Sequence, residues 1–336
     1  MGRMRLDVAT EALKLAEPFR ISGYVFETVE VVVATLSDGE HRGRGEASGV
    51  FYLHDEAPQI TAALEAARDV IEDGPNREEL RAILPPGGAR NAIDCALWEL
   101  EAARAGQPVW QLAGLAEPIP LRTTFTLGAD SPAAMAERAR RYSEALSIKV
   151  KLTGELDLDI ARLRAIRAAR PDVWLGVDGN QGFTLDQLPR LIEALQETSV
   201  SLLEQPLARG READLDGFKS PVPIAGDESI LSLADVAPSV GRFDVVNIKL
   251  DKCGGLTEGL LMAAEARRLG LGVMVGTMVG TSLATAPAFL LGQSCDLVDL
   301  DGPTFLAEDR QPSVQYEHGK LWVGPEVWGS GASSPA

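Results

Sequence analysis

The stretch that decides the fold of this 336-residue chain is Val173-Trp-Leu-Gly-Val-Asp-Gly-Asn180. Its apolar and β-branched residues predict a short buried strand that ends at a carboxylate beside glycine and asparagine. Two further apolar runs, Ser201-Leu-Leu-Glu204 and Pro223-Ile-Ala-Gly-Asp227, end in the same way 26 and 23 residues further along. Each interval accommodates one strand, one helix and two short loops, because a βαβ unit needs roughly 30 residues.

From residue 116 onward the chain alternates between apolar runs and helical stretches. Eight apolar runs, most of them separated by leucine and isoleucine at helical spacing, predict a (β/α)8 barrel of the α/β class. An open doubly wound sheet is the alternative, but no glycine-rich dinucleotide-binding fingerprint follows the first strand. The expected strands are residues 119–127, 146–152, 173–177, 201–203, 222–225, 244–248, 272–275 and 296–300.

The first 115 residues have a different pattern, in which strands precede helices. Residues 30–36 predict a strand, and residues 43–47 predict a return strand after a turn. Residues 18–26 lie between strands and predict a loop. A stripe of apolar residues at helical spacing predicts a helix over 91–103. This order of elements indicates a separate α+β domain.

The tail after Pro312 returns to turn-rich sequence, with Leu321-Trp-Val323 as a candidate strand. We expect this segment to pack back on the N-terminal domain and complete it. The predicted organisation is therefore an α+β capping domain at 1–115, a barrel domain at 116–311, and the tail at 312–336.

Composition narrows the class of protein. The 32 lysines and arginines are outnumbered by 49 aspartates and glutamates, which gives a net charge of −17 and argues against a nucleic-acid partner. Three cysteines without metal-type spacing predict no disulfide framework. The N-terminus does not resemble a signal peptide and no apolar run is long enough to span a membrane, so we expect a cytoplasmic protein with no membrane partner. A homo-oligomer is compatible with the sequence.

Charged residues cluster at the carboxyl ends of the predicted barrel strands, where barrel enzymes build their active sites. Lysines end strands 2 and 6, carboxylates end strands 3, 4 and 5, and a pair of aspartates ends strand 8. Side chains alternate along a strand, so the two lysines of strand 2 share a face, as do the two aspartates of strand 8. The residues are Lys149, Lys151, Asp178, Glu204, Asp227, Lys249, Asp299 and Asp301.

The three consecutive carboxylates predict a metal site. A single strand-end carboxylate is more often a helix cap or turn residue. Three together repel one another unless a cation neutralises them, and an all-oxygen ligand set suits Mg²⁺. None of the three histidines lies at a strand end, which argues against zinc.

The two strand-end lysines predict a reaction type. Strands 2 and 6 are opposite each other in a ring of eight, so Lys151 and Lys249 would face each other across the barrel mouth. A substrate carboxylate on the metal would then have one lysine on each face of its α-carbon. Such bases can remove and return the α-proton through an enediolate and invert the centre, which is a 1,1-proton transfer.

The motifs of the barrel resemble those of the muconate-lactonizing subgroup of the enolase superfamily. Three stretches are similar to dipeptide epimerases of the L-Ala-D/L-Glu epimerase type. They are Asn91-Ala-Ile-Asp-Cys-Ala-Leu-Trp98, Val246-Asn-Ile-Lys-Leu-Asp-Lys-Cys-Gly-Gly-Leu-Thr-Glu258 and Asp299-Leu-Asp-Gly-Pro303. The resemblance implies a TIM-like barrel of the modified β7α type, whose capping domain carries substrate-specificity loops.

The resemblance also implies residue roles for a dipeptide substrate. One Mg²⁺ per active site would be bound by Asp178, Glu204 and Asp227. Lys151 and Lys249 would be the acid/base residues, with Lys149 as their electrostatic partner. Asp299 and Asp301 would bind the α-ammonium group, and Asn180 would support the metal site.

One departure from the family concerns substrate specificity. The first specificity loop usually carries an arginine that pairs with the substrate's side-chain carboxylate, but here the stretch reads Gly23-Tyr-Val-Phe26. The second, Ser48-Gly-Val-Phe-Tyr-Leu-His54, is also largely apolar. We therefore expect Tyr24, Phe26 and Phe51 to contact a neutral or apolar second residue of the dipeptide. Arg20 is the alternative source of a positive charge.

Other functions stay open. The first is L-Ala-D/L-Glu epimerase proper. The second is a lyase such as o-succinylbenzoate synthase, an N-acylamino acid racemase or a cycloisomerase, whose substrates lack the α-ammonium group that Asp299 and Asp301 would bind. The third is a non-catalytic barrel that only binds a ligand, which would not need two opposed lysines. Asp251 and Lys252, just after strand 6, are predicted to be structural.

Overall fold

An antiparallel sheet begins the fold. The computed structural model describes residues 3–21 and 24–331, without the side chains of residues 19–21 and 24. Within this part the first strands are β1 (Arg5–Ile21), β2 (Tyr24–Ser37) and β3 (Arg42–Ala47), paired in that order.

The loop predicted for residues 18–26 is wrong for most of that segment. β1 runs to Ile21 and β2 begins at Tyr24, with Phe19 opposite Phe26. The aromatic and β-branched residues on both sides of the turn favour a long hairpin. Pro18 falls where the register shifts between Lys14 and Phe19, so it interrupts the ladder only locally.

Five helices in the described chain follow this sheet, and the longest packs directly on it. They are α1 (Ala57–Ala66), α2 (Arg68–Glu72), α3 (Arg77–Ile83), α4 (Gly88–Ala105) and α5 (Val109–Leu112). The apolar faces of the sheet, α1 and α4 form a core that includes Leu36, Ile60 and Leu100. The close approach of β3 to α4 depends on Gly43 and Gly45, because an added Cβ at either position would lie 2.0 Å from a carbonyl oxygen of α4.

The barrel follows, and its eight parallel strands confirm the predicted architecture. A short strand, β4 (Leu121–Arg122), comes first and lies outside the barrel. The barrel strands in the described chain pair in sequence order and form a nearly closed ring. They are β5 (Thr124–Leu127), β6 (Ser147–Lys151), β7 (Trp174–Asp178), β8 (Leu202–Glu204), β9 (Ile224–Gly226), β10 (Val245–Lys249), β11 (Gly272–Gly276) and β12 (Leu297–Asp299).

Helices cover the barrel unevenly. Full βα units follow β5, β6, β7, β10 and β11, whereas β8 and β9 are followed in the described chain by short 3₁₀ turns. A further 3₁₀ turn, Gly302–Phe305, follows β12. The helices are α6 (Pro132–Arg141), α7 (Leu156–Ala169), α8 (Leu188–Glu197), α9 (Leu250–Cys253), α10 (Leu256–Arg268) and α11 (Ser282–Gly292). None of the helices in the described ranges combines the length and hydrophobicity needed to cross a membrane.

The first barrel strand is shorter than predicted. Only Thr124–Leu127 of the expected 119–127 pairs within the barrel. The tail supplies β13 (Gln315–Glu317) and β14 (Lys320–Trp322), and β14 pairs with β4. Thr123 lies between the two pairings, and its hydroxyl accepts a hydrogen bond from Leu300 N at 3.0 Å, which links the two ends of the barrel.

The tail also contacts the capping domain. Trp328 Nε1 donates to the carbonyl oxygen of Arg44 at 2.9 Å, and the Arg44 guanidinium donates to Val327 O at 3.0 Å. The domain boundaries at residues 115 and 311 stay predictions.

We expect Gly45→Ala to lower the free energy of unfolding by about 3 kcal/mol, because the new methyl group would meet Ala92 O in a packed interface. Gly39→Ala is the control. No atom lies within 4 Å of a Cβ at that position, so only the cost of its φ of +94°, about 1 kcal/mol, should appear. Urea denaturation followed by circular dichroism measures both, and equal losses would contradict the steric explanation.

Candidate active site

Three carboxylates meet at one end of the barrel. Asp178 ends β7, Glu204 ends β8, and Asp227 directly follows β9. All three are at most 1% exposed, and one oxygen atom from each lies within 4.8 Å of the others. Oxygens on opposite sides of a Mg²⁺ ion are about 4.2 Å apart, since Mg–O bonds are about 2.1 Å. The spacing and the all-oxygen donor set therefore fit a Mg²⁺ ion.

Two lysines contact the carboxylates from opposite sides. Lys151 Nζ lies 2.6 Å from Asp178 Oδ2, and Lys249 Nζ lies 2.6 Å from Asp227 Oδ2. The parallel pairing of β6 with β7 places Lys151 level with Asp178. The structure thus brings the two predicted acid/base residues to the two ends of the triad, and their roles stay predictions.

Lys149 links the triad to the last barrel strand. Its Nζ lies 2.7 Å from Glu204 Oε2, 2.8 Å from Asp299 Oδ2 and 3.4 Å from Asp178 Oδ2. Asp299 also accepts a hydrogen bond from the hydroxyl of Thr124. One oxygen of Asp299 is therefore already paired with a lysine, which the sequence does not indicate.

Burial and neighbouring lysines act in opposite directions on the carboxylates. Burial raises the pKa of Asp178, but the charges of Lys151 and Lys149 outweigh it, so the net pKa lies below its ordinary value. The pKa of Asp227 is also held well below its ordinary value by adjacent lysines. Burial and the negative charge of Asp178 instead raise the pKa of Glu204 to about 7. The triad therefore contains two firmly ionised groups and one carboxyl that titrates near neutral pH.

Asp301 occupies the second position of the predicted ammonium-binding pair. Its Oδ2 accepts a hydrogen bond from Thr126 N at 2.6 Å. Burial, followed by the charge of Asp299, raises the pKa of Asp301 to about 7. Asp299 and Asp301 both line the cavity that contains the lysines.

The cavity has a volume of about 380 Å³ and lies between the barrel mouth and the capping domain. Phe26 and Phe51 line the capping-domain side, with ring centroids 5.3 Å apart. Asn180 lines it beside Asp178, and its backbone N donates to Asp178 Oδ1 at 2.9 Å. The side chains of Tyr24 and Arg20, which the sequence also implicated, lie outside the described residues.

Several residues that the sequence analysis did not assign to the site also belong to it. Lys252, predicted to be structural, is fully buried and its Nζ contacts Asp227 Oδ1. Asn247 Nδ2 donates to Glu204 Oε1 at 2.9 Å. Tyr52 and Glu228 line the cavity. Each of the four lies within three residues of a predicted site residue in the sequence. That proximity is the sequence feature that could have identified them.

The pKa of Glu204 predicts that Mg²⁺ affinity depends on pH. At pH 6 most of this carboxyl is protonated and at pH 8 most is ionised, so a proton competes with the metal only at the lower pH. We expect the apparent affinity to rise about tenfold from pH 6 to pH 8, as measured by isothermal titration calorimetry. Glu204→Gln should weaken binding and remove the pH dependence.

The control for this experiment is Glu56→Gln, since Glu56 is exposed at the cavity rim and lies outside the triad. It should retain both the affinity and its pH dependence. An affinity that is the same at pH 6 and pH 8, or unchanged in Glu204→Gln, would contradict Mg²⁺ binding by this triad.

Comparison with known proteins relates the chain to one family along nearly its whole length. The N-terminal domain model of mandelate racemase / muconate lactonizing enzyme matches residues 3–114, and the enolase C-terminal domain-like model matches residues 133–333. The L-Ala-D/L-Glu epimerase of Escherichia coli (strain K12) is 39% identical over 318 residues, which cover 94% of this chain and 98% of that protein.

Two further proteins are similar over comparable lengths. The hydrophobic dipeptide epimerase of Roseobacter litoralis is 34% identical over 94% of this chain and 95% of its own length. A crystal structure of dipeptide epimerase from Methylococcus capsulatus, complexed with Mg and the dipeptide L-Arg-D-Lys, is 30% identical with a TM-score of 0.90, covering 96% of this chain and 98% of that one. The chain therefore belongs to the mandelate racemase / muconate lactonizing enzyme family of the enolase superfamily.

Proposed function

We propose that this chain is an isomerase that epimerises dipeptides at the α-carbon of the C-terminal residue and uses one Mg²⁺ ion per active site. The observation that carries the proposal is that Lys151 and Lys249 contact opposite ends of one carboxylate triad within one cavity. The names of the three similar proteins described above support the same reaction, since all three are dipeptide epimerases.

The two lysines supply both proton transfers. One lysine, in its neutral form, removes the α-proton from its own face of the substrate, and the other, in its charged form, donates a proton to the opposite face. The centre is inverted, and the two lysines exchange protonation states. When bound to Asp178, Glu204 and Asp227, Mg²⁺ supplies positive charge beside the substrate carboxylate, where negative charge develops as the α-proton leaves.

The aspartates at the end of the last barrel strand would bind the end of the substrate that lies away from the carboxylate triad. A dipeptide has an ammonium group at one end and a carboxylate at the other, and Asp299 and Asp301 face the same cavity as the triad. Lys149 neutralises part of Asp299, which leaves Asp301 as the main acceptor for the ammonium group. Substrates of the related lyases lack this group, so a pair of buried aspartates would be unfavourable for them.

The capping-domain wall supports a neutral or apolar second residue. The cations among the described lining residues are Lys149, Lys151 and Lys249, all from the barrel. The charged residues that the capping domain contributes to the described wall are acidic, Glu30 and Glu56. A glutamate side chain of the substrate would meet no arginine among the described lining residues, and arginine is the usual partner of a carboxylate.

Replacing either lysine tests the mechanism. We expect Lys151→Ala and Lys249→Ala each to lower the rate of epimerisation by about 10²- to 10⁴-fold, because each variant lacks one of the two bases. Each should still exchange the α-proton of one stereoisomer with solvent deuterium, as followed by proton NMR in D₂O, and lose exchange of the other.

Lys219→Ala is the matched control, because Lys219 is exposed and does not line the cavity. It should epimerise at the wild-type rate. Full activity in both active-site variants, or loss of exchange of the same stereoisomer in both, would rule out two opposed bases.

The identity of the second residue is tested with a panel of L-Ala-L-Xaa dipeptides. We expect the highest kcat/KM for neutral or apolar Xaa and a kcat/KM at least about tenfold lower for glutamate, since an unpaired carboxylate in this wall would cost at least about 1.4 kcal/mol. A clear preference for glutamate would instead identify an L-Ala-D/L-Glu epimerase, and Arg20→Ala would then show whether that arginine provides the charge.

A further inference from the structure

The loop between β3 and α1, residues 48–56, is held firmly over the barrel mouth. Asp251 Oδ1 accepts hydrogen bonds from Ser48 N at 2.9 Å and Gly49 N at 3.0 Å. Val50 N donates to Asp55 O at 2.6 Å, which closes the loop on itself. Because Asp251 lies two residues after Lys249, the loop is positioned directly against the strand end that carries one of the proposed bases.

Tyr52 lies at the tip of this loop, on the 3₁₀ turn Phe51–Leu53. Its ring packs edge-on against Phe51, with centroids 5.3 Å apart, and Phe51 packs in the same way against Phe26. The chain of rings fixes the direction of the Tyr52 side chain. Tyr52 lines the same cavity as Lys151 and Lys249.

The hydroxyl of Tyr52 is buried and has no hydrogen-bond partner among the described residues. A buried hydroxyl without a partner costs free energy, and such groups are uncommon in proteins. Burial, then the charges of Glu228 and the three triad carboxylates, raise the pKa of Tyr52. The hydroxyl is therefore a neutral hydrogen-bond donor close to the triad.

We propose that the Tyr52 hydroxyl donates a hydrogen bond to the reacting carboxylate of the dipeptide, which makes Tyr52 a further residue of the catalytic site. The inference rests on the proposed function, which places that carboxylate beside the triad. An acceptor that arrives with the substrate would supply the missing partner of the hydroxyl. The carboxylate oxygens gain negative charge as the α-proton leaves, so this hydrogen bond strengthens towards the transition state.

A contact with the substrate's side chain is the alternative. A hydrogen bond to the reacting carboxylate would matter for every dipeptide, because every dipeptide has that group. A hydrogen bond to the second side chain would matter only for dipeptides in which that side chain is polar. The hydrogen bonds from Ser48 N and Gly49 N to Asp251 hold the loop of Tyr52 against the strand end that carries Lys249, and Tyr52 lines the cavity together with both lysines. This placement favours the reacting carboxylate over the substrate's side chain as the partner of the hydroxyl.

The test is Tyr52→Phe, which removes one oxygen atom and keeps the ring. We expect kcat/KM to fall about 10- to 100-fold, mainly through kcat, and by the same factor for each L-Ala-L-Xaa substrate that the wild type epimerises. The melting temperature should remain close to that of the wild type, because the hydroxyl has no protein partner to lose. Tyr142→Phe is the matched control, since Tyr142 is a partly buried tyrosine that does not line this cavity, and it should epimerise like the wild type.

The outcomes separate the proposals. Unchanged kcat in Tyr52→Phe, or a loss confined to substrates with a polar second residue, would overturn the contact with the carboxylate while the epimerase function stands. If the wild-type protein exchanged the α-proton of no dipeptide, the proposed function would be overturned. The proposed hydrogen bond from Tyr52 to the carboxylate would then be overturned as well.

Discussion

The architecture of the site depends on the burial of three carboxylates side by side. Asp178, Glu204 and Asp227 are almost completely removed from water, and like charges at this distance repel one another. They can stay ionised only where cations contact them, and lysines from the neighbouring strand ends do so. A parallel barrel meets this requirement because it brings successive strand ends to one rim. Two of the lysines that balance the charge, Lys151 and Lys249, are also the bases of the proposed mechanism, so under that proposal electrostatic stability and chemistry share one set of residues.

Polar contacts with the barrel hold the capping domain over the site. Asp251 holds the loop at Ser48 and Gly49, and Thr257 N donates to Asp94 Oδ2 at 2.9 Å. These contacts fix the aromatic wall relative to the triad. Because the wall and the triad belong to different structural units, changes in the wall can alter which ligand fits the cavity without moving the triad and its lysines. This division explains how one family can share a reaction and differ in substrate.

Much of the fold was predictable from residue patterns, since barrel strands are short apolar runs with polar ends. Two segments differ from their predicted structure, and each difference has a local cause. Residues 18–26 contain Pro18 and a Ser-Gly pair, which favour a loop, but the aromatic and β-branched residues around them extend β1 and β2. The first barrel strand was predicted too long because β4 and β5 are adjacent in sequence but pair with different partners. No pattern within one strand reveals which neighbour it will bond.

By itself, the sequence determined which residues stand at the strand ends, and therefore the carboxylate triad, the two opposed lysines and the kind of reaction that we propose for them. This was possible because position along a strand and the face of a side chain are local properties of the chain. Only the tertiary structure decided that Lys149 pairs with Asp299, that Lys252 contacts Asp227, and that the buried hydroxyl of Tyr52 lacks a partner in the part of the chain that the structure describes. The two ion pairs join residues 150 and 25 positions apart, and they exist only once the barrel closes.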